Sequence, residues 1–454
     1  MTRGLMKAFH YALFLSVLIV VLSIVHLGYA ISASSSLYNK ITSIDNKTEK
    51  KFDIIKVMPF NNTNPSSITV DPISNLVYVA VRPNYSSNYL SHSCSGQNNV
   101  TPNNLSDSIY SCSAIYVLDG KTDQIIDIIS LGSGEHIHDI VVDPHVDRIY
   151  ATGEYNYQAD DPEGNGERIQ YEDDVVYIIS NVSYTNKDNT RSYSANASIN
   201  TERVTLYGEI EEGKEGDMSD IAIDTNTNAK TNTIYAGIRY FQGGRSGIFI
   251  IPDNGQIDSK LNGVNNKNNL SNTIKFIPLG NTGPEQILVN DQMNTIYALL
   301  EYDDFIAIMD GSTNKLMEKI ILQHSRAMSI NPLEGLLYVA SGDSFWFNVI
   351  DMNTNKVIAV NTQISYPIAS VVNNITGRVY VAECLECDNF DFTNGTSIYE
   401  LDSNGSTITW NTYENISIEE DGLAVNPFRG KLYAIGMDTQ SEISNLYVID
   451  ISSK

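Results

Sequence analysis

The 454-residue chain predicts an all-β fold: a seven-bladed β-propeller of four-stranded antiparallel blades. Three observations carry that expectation. A short apolar strand ending in Asp or Asn, a turn, and an apolar strand containing Tyr recur seven times after residue 50. The compact copies, Asn290 to Asn331 to Asn373, lie 41 and 42 residues apart, near the ~40–45 residues of a four-stranded propeller blade. The last copy stops after its third strand, and KFDIIKVMPF from Lys51 can supply the fourth from the other end of the chain. Such joint closure removes the open edge that a linear array of sheets would expose.

The copies read ITVDPISNLVYVA, IVVDPHVDRIYAT, IAIDTNTNAKTNTIYAG, ILVNDQMNTIYAL, MSINPLEGLLYVA, SVVNNITGRVYVA and LAVNPFRGKLYAI. The acid or amide stands seven residues before the Tyr in six of them: Asp71/Tyr78, Asp143/Tyr150, Asn290/Tyr297, Asn331/Tyr338, Asn373/Tyr380 and Asn426/Tyr433. The third, Asp224/Tyr235, carries four extra residues. Asp-Pro and Asn-Pro favour a tight reversal between the first two strands. Each copy continues with a third strand ending in Asp, a polar turn and a fourth strand, most cleanly in SFWFNVIDMNTNKVIAVNTQI from Ser344. Short Val-, Ile- and Tyr-rich runs bounded by such turns read as strands.

Ahead of the repeats, residues 1–30 read as a signal peptide or signal anchor and residues 31–50 as a linker to a propeller spanning 51–454. Ala8–Ala30 is almost uniformly apolar behind Arg3 and Lys7, and its length approaches the ~20 residues that cross a bilayer. Either reading puts the rest outside the cytoplasm, extracellular or at the cell surface, with the N-terminal segment as the membrane contact if uncleaved. Four cysteines suit that compartment, and their order suggests disulfides Cys94–Cys112 and Cys384–Cys387. Twelve Asn-x-Ser/Thr sequons permit glycosylation without demonstrating it.

The units ITVDPISNLVYVA, MSINPLEGLLYVA and LAVNPFRGKLYAI, followed by FNVIDMNTNKVIAV, resemble YVTN-family repeats, β-propeller units common in surface proteins of archaea and bacteria. That resemblance spans about residues 51–454. It implies a surface or extracellular propeller and no particular chemistry, because a shared fold does not transfer activity.

Long insertions point to a binding face. Residues 82–113, about 154–174 and about 383–396 join second to third strands, on the face where each first strand begins. Two others, about 181–202 and 253–272, join third to fourth strands on the opposite face. Elaborated loops on a rigid scaffold are where binding sites concentrate. Residues four to seven positions before each repeat Asp or Asn should ring the channel mouth there: His136, His138, Asp139, Asp217, Asp220, Glu285, His324, Arg326, Glu419, Glu420 and Asp421. Imidazoles and carboxylates could bind a transition metal through His136, His138 and His324, or line a hydrated funnel. The acidic insertion offers Asp160, Asp161, Glu163, Asp173 and Asp174 as oxygen donors for calcium. No resident cofactor is implied beyond those two candidates, calcium or a transition metal.

A net charge of −25 disfavours nucleic acid, which needs a positive surface. No Gly-x-Ser-x-Gly elbow, phosphate-binding Gly-rich loop or His-Glu-x-x-His motif occurs. The expected function is therefore a binding or scaffold module for an extracellular protein, peptide or glycan. A metal-binding protein or metal-dependent enzyme at the channel mouth is the alternative.

Overall fold

The computed structural model describes residues 52–60, 63–83, 113–132, 135–146, 148–160, 168–180, 199–206, 217–225, 232–239, 246–253, 274–342, 346–385 and 395–452, with the backbone alone at 156–160 and 168–172. All belong to one compact unit, Lys51–Lys454. Among them no helix is long and apolar enough to cross a membrane. The leader, the linker, three of the four cysteines and most insertions lie outside the described residues.

The first strand, β1 (Asp53–Pro59), belongs to the last blade. Blade one is β2 (Thr63–Asp71), β3 (Leu76–Pro83), β4 (Ser113–Asp119) and β5 (Gln124–Gly132). Blade two is β6 (Glu135–Asp143), β7 (Arg148–Asp160), β8 (Arg168–Ser180) and β9 (Asn200–Thr205). Blade three is β10 (Asp217–Asp224), β11 (Asn232–Arg239), β12 (Gly247–Asp253) and β13 (Lys275–Pro278). Blade four is β14 (Gln286–Asn290), β15 (Thr295–Leu300), β16 (Phe305–Asp310) and β17 (Lys315–Ile321), with a 3-10 turn at Glu301–Asp303. Blade five is β18 (Ser325–Asn331), β19 (Leu336–Ser341), β20 (Trp346–Asp351) and β21 (Lys356–Asn361). Blade six is β22 (Pro367–Asn373), β23 (Arg378–Cys384), β24 (Thr396–Leu401) and β25 (Thr407–Tyr413). Blade seven is β26 (Ile416–Asn426), β27 (Lys431–Asp438) and β28 (Ile443–Asp450), completed by β1.

The first strand of each blade packs beside the first strands of its neighbours, and β26 meets β2, so the ring closes around an axial channel. Closure is antiparallel, with Asp53 opposite Asp450 and Pro59 opposite Asn445. Blade six supports the joint: Tyr413 Oη and Asn411 Nδ2 donate to the Phe52 carbonyl at 2.8 and 3.2 Å.

The two invariant features of the repeat have separate structural jobs. In six blades the Asp or Asn is buried at the end of the first strand and caps the turn that follows, while Asp224 of blade three is partly buried. Asp71 Oδ1 accepts from Ile73 N at 2.8 Å, Asn373 Oδ1 from Ile375 N at 3.1 Å and Asn426 Oδ1 from Phe428 N at 3.2 Å. This is the Asx-turn geometry in which a short polar side chain substitutes for a backbone acceptor. The Tyr packs between blades. Seven hydrophobic clusters make up the core, each spans two adjacent blades, and each contains one repeat Tyr. Hydroxyls of three of them reach the next blade: Tyr150 to Asp253 at 2.6 Å, Tyr338 to the Ser403 carbonyl at 2.9 Å and Tyr433 to Asp123 at 2.9 Å. A buried phenol usually finds a partner for its hydroxyl; among the described residues, Tyr297 packs fully buried with its hydroxyl unbonded.

One expected insertion proves to be mostly strand. Blade two's second and third strands continue to Asp160 and restart at Arg168, so 154–174 is a long hairpin with only 161–167 as the connection. Alternation of Tyr155, Tyr157, Ile169 and Tyr171 explains it, since aromatic and β-branched residues at every second position favour a pleated ladder over a solvated acidic loop. The hairpin rises from the upper face, the one on which first strands begin. Turns capped by the repeat Asp or Asn define the lower face.

The closing strand yields a direct test. Deleting residues 51–60 leaves β28 as an open edge and removes the acceptor used by Tyr413 and Asn411. The shortened protein should lose its single cooperative melting transition and scatter light on heating. An unchanged melting curve would show that blade seven does not depend on β1.

Candidate functional site at the channel mouth

Each first strand is a sheet edge facing the channel, and most of them carry a β-bulge at the same level. Register slips by one residue between Pro65 and Ser67, Ile137 and Asp139, Met218 and Ile221, Ser325 and Ala327, and Pro367 and Ala369. Bulges re-aim side chains and interrupt pairing. Below the bulge, four blades use the residue four positions before the repeat Asp or Asn as an inter-blade latch. Ser67 accepts from Ile140 N at 3.3 Å and Asp139 from Ile221 N at 3.1 Å. Asp220 accepts from Ile287 N, and Gln286 Oε1 from Met328 N. The equivalent residues of blades five to seven are Ala327, Ala369 and Gly422.

Blade seven departs from the others. Ile418 pairs with Gly436 but Leu423 with Ala434, so three residues rather than one are extruded from the ladder. The sequence there, Glu419-Glu420-Asp421, puts three carboxylates into the mouth. Asp421 adopts a left-handed conformation (φ 55°). A Cβ on Gly422 would stand 2.8 Å from the Glu419 carbonyl and 2.9 Å from that of Ile435, so the knuckle needs glycine at its end.

Around it the sequence-predicted residues sort into three groups. His136 and His138 meet at Glu154, the cross-strand partner of His136. His138 Nε2 lies 2.8 Å from Glu154 Oε1 and His136 Nδ1 lies 4.0 Å from Oε2. Burial lowers the His136 pKa most, with His138 and Arg82 acting the same way against Glu154. For Glu154, burial works upward, but the bond from His138 and the charges of His138, His136 and Arg82 leave its carboxyl below the ordinary value. In the second group, guanidinium groups hold acids across blades: Arg239 pairs with Glu285, and Arg326 with Glu420 and, at 3.6 Å, with Glu301. Asp217 opens β10 opposite Arg239 in the ladder. The third group is a set of acids without such cover. Asp220 is pushed well above the usual carboxylate range, first by burial and then by its hydrogen-bonded neighbour Asp139. Asp421 keeps an exposed side-chain surface, yet the many atoms around it and the charges of Glu420, Asp139, Glu285 and Glu301 push its carboxyl upward as well.

His324 stands apart from the other two histidines. It is exposed, left-handed (φ 49°), and donates its backbone N–H to Asp304 Oδ1 at 3.0 Å. Among the described residues no group of three or more His, Cys, Asp or Glu is arranged to hold a metal ion. The calcium candidates are divided as well. Asp160 pairs with Arg168 and Asp173 with Tyr155, five steps apart on the ladder or about 17 Å at ~3.4 Å per residue; Asp161 and Glu163 lie outside the described residues.

Reading the sequence missed Glu154, Glu301, Arg82 and Arg239, because they lie on second strands or in the loops that follow them and reach the mouth only through cross-strand and cross-blade packing. Ser67 and Gln286 had a signal: they occupy the same repeat position as Asp139 and Asp220.

No protein family and no curated protein sequence matches the chain. Among solved structures, a chain of the crystal structure of the mitotic checkpoint complex is similar over 90% of this chain and 96% of that one, with a TM-score of 0.52 and 11% identity. At that identity the likeness concerns the fold, and it agrees with seven four-stranded blades in a ring.

The Asp139–Asp220 pair makes stability depend on pH. Asp220 binds its proton more tightly folded than unfolded, so its contribution is complete below about pH 4, the unfolded value, and is lost as pH rises through the higher folded value. Asp220→Asn mimics the protonated acid and still accepts from Ile287 N. It should match or exceed the wild-type melting temperature at pH 7 and flatten its decline above pH 4. Asp220→Ala should cost about 1–3 kcal/mol by stranding that N–H. An Asn variant that melts lower at pH 7 with the wild-type pH slope would rule out the raised Asp220 carboxyl as the source of that slope.

Proposed function

We propose that this chain is an extracellular or membrane-tethered β-propeller of YVTN type that binds a protein, peptide or glycan, and not nucleic acid, through its upper face. The observation that carries the reading is the two-stranded extension of blade two. β7 and β8 run thirteen residues each, where second and third strands in blades four to six have six or seven. The strands flanking the insertions 84–112 and 386–394 end on the same face as that hairpin. A rigid ring with variable loops at one end is the usual arrangement for recognition. The net charge of −25 favours a neutral or cationic partner.

Disulfides Cys94–Cys112 and Cys384–Cys387 belong to this proposal, since each would cross-link part of the sequence of one of those insertions. Cys384 ends β23 directly before 386–394, and no described cysteine is free. The metal alternative draws on the meeting of His136 and His138 at Glu154. One equivalent of a transition metal in purified protein, lost in His138→Ala, would favour it.

Shortening 84–111 or 161–167 to a short Gly-Ser turn should abolish capture of the partner from an extracellular fraction while leaving the melting temperature unchanged. Unaltered capture by both variants would place the binding surface elsewhere.

A further inference from the structure

The lower face carries a feature that the upper-face reading leaves unused. In six of the seven blades the turn after the first strand presents one large apolar side chain to solvent: Ile73, Val146, Met293, Leu333, Ile375 and Phe428. Their exposures run from 39% for Met293 to 71% for Leu333. The seventh turn, 226–231, lies outside the described residues. Single exposed apolar residues are ordinary, but here four stand two residues after the repeat Asp or Asn and two, Val146 and Met293, three residues after it, so equivalent turns ring the lower channel opening with an annulus of apolar tips. The six turns have equal length and the same Asp or Asn cap, so their tips border one opening together and can meet one extended apolar partner.

Two further observations identify that partner. In four of the six tips the backbone N–H already has an acceptor within the protein: Ile73 N on Asp71, Met293 N on Asn290, Ile375 N on Asn373 and Phe428 N on Asn426. Such tips leave water without stranding a donor, the condition that limits which backbone can enter lipid. The described part of the chain also begins on this face: β1 runs upward from Asp53, which pairs with Asp450 at the lower end of β28. Twenty-one residues, 31–51, separate Phe52 from the apolar stretch Ala8–Ala30 in the sequence.

We infer that the annulus is a membrane-contact surface: its six apolar side chains dip into the interfacial layer of a lipid bilayer, turning the elaborated upper face away from it. The inference rests on the tethered reading of the N-terminal segment given under Proposed function. It also requires that Asn374, a sequon residue beside Ile375, carry no glycan.

The test uses the full chain reconstituted in phosphatidylcholine vesicles, with an environment-sensitive fluorophore on Phe428→Cys, Leu333→Cys or, on the upper face, Gln440→Cys, labelled without reductant. Co-flotation with vesicles reports the tether independently of the annulus. Labels at 428 and 333 should shift to the blue and be quenched by doxyl-lipid, and the label at 440 should not. A chain that floats with all three labels unquenched overturns the annulus alone; a chain that does not float overturns both readings. Labels at 428 and 333 shielded from water yet untouched by doxyl-lipid would mean that a protein covers the face, which also overturns the inference, as does a glycan on Asn374. The variant Leu333→Asp/Ile375→Asp/Phe428→Asp controls for folding. It should keep the wild-type melting temperature while its label at Ile73→Cys loses most of the lipid quenching seen in the parent.

Discussion

A sheet folded into a blade has two edges, and in a propeller one of them always faces the channel. Seven strands, β2, β6, β10, β14, β18, β22 and β26, therefore present backbone donors toward the axis with no further strand to receive them. An unpaired buried N–H costs about as much as a lost hydrogen bond, so this constraint governs the rest of the molecule. Four blades meet it by reaching sideways, with Ser67, Asp139, Asp220 and Gln286 each accepting from the next blade. Blades five to seven have Ala or Gly at that position, and blades five and six are joined instead by the Ser329–Ser370 hydroxyl contact at 2.8 Å. The latches and the seven inter-blade clusters act on the same joints, so packing and polar satisfaction support one another.

Using acids as latches has an electrostatic consequence. Asp139 and Asp220 are adjacent, and the blade-seven knuckle brings Glu419, Glu420 and Asp421 to the same mouth. Like charges at short range cannot all ionise in a confined space. Arg239 and Arg326 relieve the field by engaging Glu285, Glu301 and Glu420, and what remains pushes the Asp220 carboxyl above the usual carboxylate range. A chain with 54 acids against 29 bases thus spends part of its small basic complement on holding its channel mouth together.

The two faces differ in kind. Upper-side connections vary in length and include the thirteen-residue hairpin strands, whereas lower-side turns between first and second strands repeat one capped design. Uniform turns give a repeating surface and variable connections an irregular one. A face ringed by apolar turn tips and an acid-lined mouth suit different partners.

The repeat was legible because each of its residues answers a local requirement. Asp or Asn caps the next turn, Pro sets its backbone, and Tyr fills one side of a strand, so all three recur at fixed spacing whatever surrounds them. The joint blade was legible by the same logic, since a missing strand at one end matched a spare one at the other. His136, His138 and Asp139 could be placed on the mouth for the same reason. Their partners could not: Glu154, Glu301 and Arg239 reach it from second strands and the turn after one of them, through pairings that depend on register and blade rotation rather than on chain position. Residue order alone also made an acidic loop of 154–174, because charge counts are insensitive to a ladder that pairs Tyr157 with Tyr171. Local chemistry fixed the blade and the number of blades. Which acids share a field, which are neutralised by arginine, and which histidine stands apart were decided only when seven separate edges were brought around one axis.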